Sequence, residues 1–157
     1  MAHGKPEFTF NCHCSLCLFL SLYSESKRPS GLLDDSLENK ILTLRLNCPT
    51  GRRSGGAAFV AAAAFKPESI KWSGEMVDYK PANSKVPRRF CASCRTYVAE
   101  DARPVLGVFA LPLGLTDPQP DKIYWPTQHI FYDSRVIDVS DKLPKFMQMP
   151  GGPQFHE

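Results

Sequence analysis

Residues 12–17 read CHCSLC and place the thiols of Cys12, Cys14 and Cys17 on one short segment. Zinc in proteins prefers four sulfur or nitrogen ligands in a tetrahedron, and closely spaced cysteines supply several of them from one loop. Three protein ligands leave the fourth position open, which is the arrangement of catalytic zinc. We therefore predict that these three cysteines bind zinc at an open site.

One alternative closes this site with a fourth ligand, either His13 or Cys48. A closed four-ligand site is structural, because no position remains for a substrate. His13 lies between two of the predicted ligands, and its side chain is expected to point away from the metal. We therefore favour the open site.

A second cysteine pair, Cys91 and Cys94, has the CxxC spacing of half a zinc site. A CxxC pair can also carry redox chemistry, but no βαβ pattern of the thioredoxin type surrounds it. We interpret the pair as metal ligands that need two further partners. Cys48 and His3 are the candidates, and neither is favoured by its position.

The 157-residue chain has the composition of one globular domain, with 43% hydrophobic and 22% charged residues. A net charge of +3 without a dense basic stripe does not predict nucleic acid as a partner. The apolar run at 16–23 is shorter than the roughly 20 residues of a membrane span and lacks a clear signal-cleavage site. We predict a cytoplasmic protein without a membrane partner, and a nuclear location is the alternative.

Fourteen prolines and ten glycines divide the chain into short segments, which favours strands over long helices. The alanine-rich run at 57–65 fits a buried strand, although its composition would also suit a helix. Strands are predicted at 70–72 and 76–79, and their spacing predicts a hairpin. Further strands are predicted at 86–90, 105–111 and 129–132. Leucines between residues 32 and 44 predict one amphipathic helix.

Two pairs of arginines, Arg52-Arg53 and Arg88-Arg89, lie close to the cysteines in the sequence. They are either solvated surface charge or a means of attracting a ligand that carries carboxylates. On the second interpretation, Arg52 and Arg53 are candidate substrate-binding residues. His129 begins the run HIFY, and we interpret it as a hydrogen-bonded structural histidine.

Together these segments resemble the family of the glutathione-dependent formaldehyde-activating enzyme and centromere protein V. The resemblance implies one domain over residues 1–157, with a mainly β, antiparallel fold of the Mss4-like type. It implies an open three-cysteine zinc site and a closed four-cysteine zinc site. The matching segments, in the family's order, are CHCSLC at 12–17, RRSGGAAF at 52–59, RRFCASC at 88–94, HI at 129–130 and LPKF at 143–146.

On this resemblance Cys12, Cys14 and Cys17 match the open site, and Cys91 and Cys94 match half of the closed site. The other half in the family is a Cys-x-Cys on an N-terminal strand. Residues 1–11 contain no cysteine, so that strand is predicted to be missing.

The segment 18–51 interrupts the resemblance. It contains nine leucines and five serines but no alanine or valine, and an alanine-rich stretch follows it. Joining Cys17 directly to Arg52 would give a continuous match. We therefore predict that 18–51 is a surface insertion or the product of an unspliced intron.

The resemblance implies a zinc-dependent carbon–sulfur lyase that acts on adducts of a thiol and an aldehyde. The reaction would be glutathione plus formaldehyde to S-hydroxymethylglutathione, or a related one, with zinc as cofactor and glutathione as partner. Zinc lowers the pKa of a bound thiol and polarises a carbonyl group, but no catalytic residue beyond the ligands is assignable. The alternative is a non-catalytic zinc-binding interaction module of the centromere protein V type.

Overall fold

A computed structural model describes residues 9–14, 18–21, 40–117 and 122–156 of the chain. These residues form eleven strands and two short α-helices, so the predicted mainly β class is confirmed. The helices are α1 (Pro49–Gly55) and α2 (Arg103–Leu106). The strands are β1 (Thr9–Asn11), β2 (Leu18–Ser21), β3 (Lys40–Leu46), β4 (Val60–Phe65), β5 (Ile70–Trp72), β6 (Met76–Tyr79), β7 (Arg88–Cys91), β8 (Tyr97–Asp101), β9 (Phe109–Pro112), β10 (Thr116–Asp117) and β11 (His129–Ile130).

The larger sheet has seven strands in the order β11-β3-β4-β9-β8-β7-β6. Adjacent strands in this sheet are antiparallel, except that β11 runs parallel to β3. The alanine-rich run at 57–65 supplies β4, which is paired on both sides, and Ala62 to Phe65 are buried. The strand rather than the helix is formed because two neighbouring strands satisfy its backbone, and this outweighs the helix propensity of alanine.

The smaller sheet has four strands in the order β10-β1-β2-β5. Strand β5 pairs with β2, whereas β6 pairs with β7 in the larger sheet. The hairpin predicted from the spacing of 70–72 and 76–79 is therefore wrong, although both strands have the predicted bounds. Residues 73–75 instead carry the chain from one sheet to the other, because each strand finds its partner elsewhere in the fold.

The main core lies where the two sheets meet. Phe10 of β1 packs edge-to-face on Phe65 of β4, with ring centroids 5.9 Å apart. The ring centroid of Tyr124 lies 6.3 Å from that of Phe65, and Val98 and Leu111 are fully buried in the same cluster. Burial of these large side chains fixes β1 against the larger sheet, which positions the residues that follow β1.

The segment 18–51, predicted as an insertion, contributes to both sheets. Strand β2 lies between β1 and β5, and β3 pairs with β4 from Leu42–Ala64 to Leu46–Val60. Residues 40–46 are a strand and not the end of the predicted helix, because Leu44 and Leu46 pack in the core beside Val60. The described part of this segment therefore belongs to both sheets, and its status as an insertion stays a prediction. The origin of the segment in an intron stays a prediction for transcript sequencing.

Candidate metal centre

Four cysteines meet where the end of β1 lies against the turn after β7. Their sulfur atoms all lie within 4.8 Å of one another. The Sγ atoms of Cys12 and Cys14 are 3.5 Å apart, and those of Cys14 and Cys91 are 3.8 Å apart. Cys94 completes the group; Cys12 and Cys91 are buried, and Cys14 and Cys94 are half-buried. The arrangement presents four soft ligands to one point.

The turn that follows β7 brings Cys94 back toward Cys91. The backbone N–H of Arg95 donates to the carbonyl of Cys91 at 3.1 Å, and Arg95 adopts a left-handed conformation with φ of 62°. The N–H of Cys91 donates to the carbonyl of Thr96 at 3.0 Å. The hydroxyl of Thr96 accepts from the backbone N–H of His13 at 3.2 Å, which ties this turn to the loop after β1.

The same threonine favours ionisation of a ligand thiol. The Sγ of Cys94 lies 3.1 Å from the hydroxyl of Thr96. This hydrogen bond lowers the pKa of Cys94 to about 5, with a further contribution from Cys14. A cysteine binds metal as the thiolate, so this lowered pKa suits a metal ligand.

The geometry fits zinc. Zinc–sulfur bonds of about 2.3 Å in a tetrahedron separate the sulfur atoms by about 3.8 Å. The observed separations of 3.5 and 3.8 Å lie close to this value. Four soft thiolates in a compact group are also the ligand set that structural zinc uses. Cys12, Cys14, Cys91 and Cys94 are therefore the residues that would hold the ion.

This grouping differs from the prediction of two separate sites. Cys12 and Cys14, assigned to an open site, lie beside Cys91 and Cys94, assigned to a closed one. Cys17, the third predicted ligand of the open site, lies outside the described residues. An N-terminal strand followed by a Cys-x-Cys is therefore present, since β1 leads directly into Cys12 and Cys14. The requirement of the CxxC pair for two further ligands was the sequence signal for this grouping.

The predicted substrate-binding pair, Arg52 and Arg53, lies on α1. Arg53 is exposed, and the Nε of half-buried Arg52 donates to the carbonyl of Asn47 at 3.0 Å. Both arginines line a shallow cavity of about 310 Å³. This cavity offers positive charge beside small apolar groups, and its other lining residues are Gly56, Ala57, Ala58 and Val136.

Arg88 and Arg89, the second basic pair, are engaged within the protein. Arg88 is buried and its NH2 lies 3.1 Å from Glu100 Oε1. Arg89 forms two hydrogen bonds with Asp78, at 2.8 and 3.0 Å, and lies over the ring of Trp72. These contacts favour a structural role for the pair over attraction of an anionic ligand from solvent.

His129 is fully buried and hydrogen-bonded. Its Nε2 lies 3.0 Å from Asp141 Oδ2, and Asp141 also pairs with Arg45 and Lys145. Burial lowers the pKa of His129, and the hydrogen bond to Asp141 opposes this effect only in part. Burial raises the pKa of Asp141, but contacts with His129, Lys145 and Arg45 outweigh it, so the pKa is lowered. This network joins β11 to the C-terminal loop, as expected for a structural histidine.

Fold and site together define a mainly β protein with a group of four cysteines that could hold a metal ion. The family model "Glutathione-dependent formaldehyde-activating enzyme" matches residues 35–134, which is more than half of the chain. The chain therefore belongs to the glutathione-dependent formaldehyde-activating enzyme family. The match includes β3 and α1, both of which lie wholly or partly within the predicted insertion.

Among solved structures, the chain is similar to a crystal structure of a Rhodobacter sphaeroides protein. The sequences are 16% identical, the match covers 73% of this chain and 93% of that chain, and the TM-score is 0.49. None of the curated proteins compared with the chain matches it. Within the described residues, no helix has the length and apolar character needed to cross a membrane.

Proposed function

We propose that the chain acts on adducts of a thiol and an aldehyde, with glutathione as the thiol and formaldehyde as the aldehyde. The reaction would be formation of S-hydroxymethylglutathione or a related carbon–sulfur lyase reaction. The observation that carries this proposal is the family match over residues 35–134. It is supported by the two arginines of α1, because glutathione carries two carboxylates that guanidinium groups bind well.

In this proposal the four clustered cysteines hold zinc, and the arginines hold the substrate. Zinc bound by four thiolates supplies folding free energy and fixes β1 against the turn after β7. Arg52 and Arg53 orient glutathione through its carboxylates at the cavity they line. Because formaldehyde adds to thiols without a catalyst, positioning of the two reactants accounts for most of the expected rate increase.

The test is the rate of exchange between glutathione and S-hydroxymethylglutathione, measured by NMR with zinc-loaded full-length protein. We expect exchange faster than in buffer. Arg52→Ala and Arg53→Ala should each raise the glutathione concentration at half-maximal rate about tenfold, because a charge-assisted hydrogen bond is lost.

The matched control is Lys80→Ala, which removes an exposed positive charge from the loop after β6. This variant should behave as the wild type. An exchange rate equal to that in buffer would contradict the enzymatic proposal.

A second candidate is a non-catalytic zinc module of the centromere protein V type. The observation that favours it is the four-thiol cluster, because four ligands complete the tetrahedron and leave no position for a substrate on that ion. Salt-dependent binding to nucleic acid or tubulin, without any effect on exchange, would support this candidate. Both candidates go with a cytoplasmic location, with the nucleus as alternative, because reducing compartments keep cysteines available for metal.

A further inference from the structure

Arg52 lies in the last turn of α1, and its guanidinium group is held at one end. Its Nε donates a hydrogen bond to the main-chain carbonyl of Asn47 at 3.0 Å. Among the residues that the structure describes, this is the one hydrogen-bond partner of the Arg52 side chain. The two terminal nitrogens, Nη1 and Nη2, are therefore left for a ligand in the cavity that Arg52 lines.

The carbonyl that holds Arg52 belongs to a fixed part of the main chain. Asn47 is buried, and its backbone N–H donates to the carbonyl of Ile130 at 3.1 Å. Its Nδ2 donates to the same carbonyl at 3.0 Å and to the carbonyl of Arg45 at 3.1 Å. These bonds join the end of β3 to β11. Because the acceptor is fixed, the guanidinium group of Arg52 is oriented in advance, which lowers the entropy cost of binding a ligand.

The backbone N–H groups at the C-terminal end of α1 are already engaged. Those of Gly56 and Ala57, which both line the cavity, donate to the carbonyl of Arg52, the second at 3.2 Å. None of the described residues that line the cavity is acidic. The guanidinium groups of Arg52 and Arg53 are therefore what this cavity presents to an anion.

The two arginines differ in what they can recognise. Arg53 is exposed, and within the described ranges no hydrogen bond or ion pair orients its side chain, so it supplies a positive charge that solvent screens. Arg52 has its Nε engaged, and the edge left for a ligand is the one formed by Nη1 and Nη2. This edge matches the two oxygens of a carboxylate, which it binds through two parallel hydrogen bonds.

We propose that Arg52 determines the specificity of this cavity by binding one carboxylate of a thiol through both terminal nitrogens. The substrate class that follows is thiols that carry a carboxylate, of which glutathione is one member, whereas neutral thiols bind weakly. The inference rests on the proposed function and deepens it, because it assigns recognition to one group of the ligand and to one residue. Arg53 adds attraction but no geometric selection.

The experiment is an NMR titration of full-length, zinc-loaded protein with S-methylglutathione, which retains both carboxylates but has no thiol to react. Arg52→Lys retains the charge and removes the paired nitrogens, so the dissociation constant should rise at least about tenfold. Arg53→Lys retains the charge that Arg53 supplies, so the rise should stay below about threefold. Lys80→Ala is the control and should bind as the wild type does.

A pair of ligands tests the same point without any change in the protein, and so without any effect on folding. S-methyl-N-acetylcysteine carries one carboxylate, and its primary amide carries none. The acid should bind to the wild type at least about tenfold more tightly than the amide. Equal dissociation constants for the acid and the amide, or equal losses in Arg52→Lys and Arg53→Lys, would overturn the inference.

These measurements separate the inference from the proposed function. If the wild type accelerates glutathione exchange but Arg52→Lys binds S-methylglutathione as tightly as the wild type, the inference fails and the proposed function stands. If binding depends on Arg52 as expected but exchange is no faster than in buffer, the proposed function fails and the carboxylate site stands. Absence of saturable binding of S-methylglutathione to the wild type would overturn the inference.

Discussion

At the scale of single residues, four of the described cysteines form one cluster and a fifth, Cys48, lies apart from it. Cys12, Cys14, Cys91 and Cys94 converge within 4.8 Å, whereas Cys48 contacts Thr50 and Gly51. The sulfur atoms in the cluster are held by two different segments of chain. Loss of one thiol should therefore abolish tetrahedral binding, whereas loss of Cys48 should leave it intact.

The first prediction concerns metal content. Cys91→Ser should reduce zinc from about one ion per chain to near zero, because three thiolates and a neutral hydroxyl bind zinc far less tightly. It should also lower the thermal stability, since structural zinc contributes folding free energy. Elemental analysis of purified protein measures the first effect, and thermal unfolding measures the second. Cys48→Ser is the control and should retain its zinc; loss of zinc from it would show that Cys48 is a ligand.

The second prediction concerns pH, through His129. The unfolded chain protonates this histidine near pH 6.5, but burial lowers its pKa in the folded protein. As the pH falls below about 6.5, the unfolded state takes up a proton that the folded state does not, and the free energy of unfolding decreases. Asp141 acts in the same direction at lower pH, because its pKa is also lowered in the folded protein.

Denaturant unfolding between pH 7 and pH 5 measures this effect. His129→Gln should lower the stability at pH 7 by about 1–3 kcal/mol, through the lost buried hydrogen bond, and should make stability less dependent on pH. His156→Gln is the control, because His156 is exposed near the C-terminus. Comparison of variants isolates the contribution of His129 from that of Glu100, whose pKa is raised by burial in all of them. An unchanged slope in His129→Gln would contradict the prediction.

At the scale of elements, the first turn of α1 packs closely against the end of β3, and there is no space for a side chain at Gly51. A Cβ on Gly51 would lie 2.7 Å from Leu46 Cδ2, and Leu46 is itself buried. Gly51 is therefore a point of close contact between α1 and the end of β3.

The third prediction follows from this contact. Gly51→Ala gains about 1 kcal/mol of helix propensity, but overpacking against Leu46 costs about 1–3 kcal/mol. We expect a net destabilisation, measured as a lower midpoint of thermal unfolding. Gly114→Ala is the matched control, because no atom lies within 4 Å of a Cβ built there. Equal midpoints for the two variants would show that Leu46 moves aside without cost.

At the scale of the whole molecule, the segment 18–51 decides whether the two sheets are complete. It supplies β2, which lies between β1 and β5, and β3, which lies between β11 and β4. Without it, β4 would become an edge strand with unpaired backbone groups, and β1 would lose its connection to β5.

The fourth prediction is that a chain lacking Leu18–Gly51 does not fold. Circular dichroism and amide NMR dispersion should show an unfolded chain, and zinc should not bind tightly, because β1, which leads into Cys12 and Cys14, loses its pairing with β2. The full-length protein under the same conditions is the control. A folded, zinc-binding product of the deletion would instead support the insertion that the sequence predicts.

The bounds of several strands could be predicted from the sequence of each segment alone. The bounds of β5 and β6 follow from β-forming residues between turn signals, and β4 follows from an apolar run that is closed by Lys66 and Pro67. Partners could not be predicted in this way, because pairing depends on packing between residues distant in the chain. The hairpin predicted from 70–72 and 76–79 failed for this reason, since β5 and β6 belong to different sheets.

The sequence by itself determined the chemistry of the metal centre: cysteines in CxC and CxxC spacing, a mainly β class, and the family to which the chain belongs. Only the tertiary structure decided which thiols lie together, since Phe10 and Phe65 bring β1 against β4 and so bring Cys12 and Cys14 to Cys91. It also showed that the main chain of the buried Asn47 holds Arg52. Short motifs fix ligand type and local spacing, whereas burial of distant side chains in one core fixes which motifs meet.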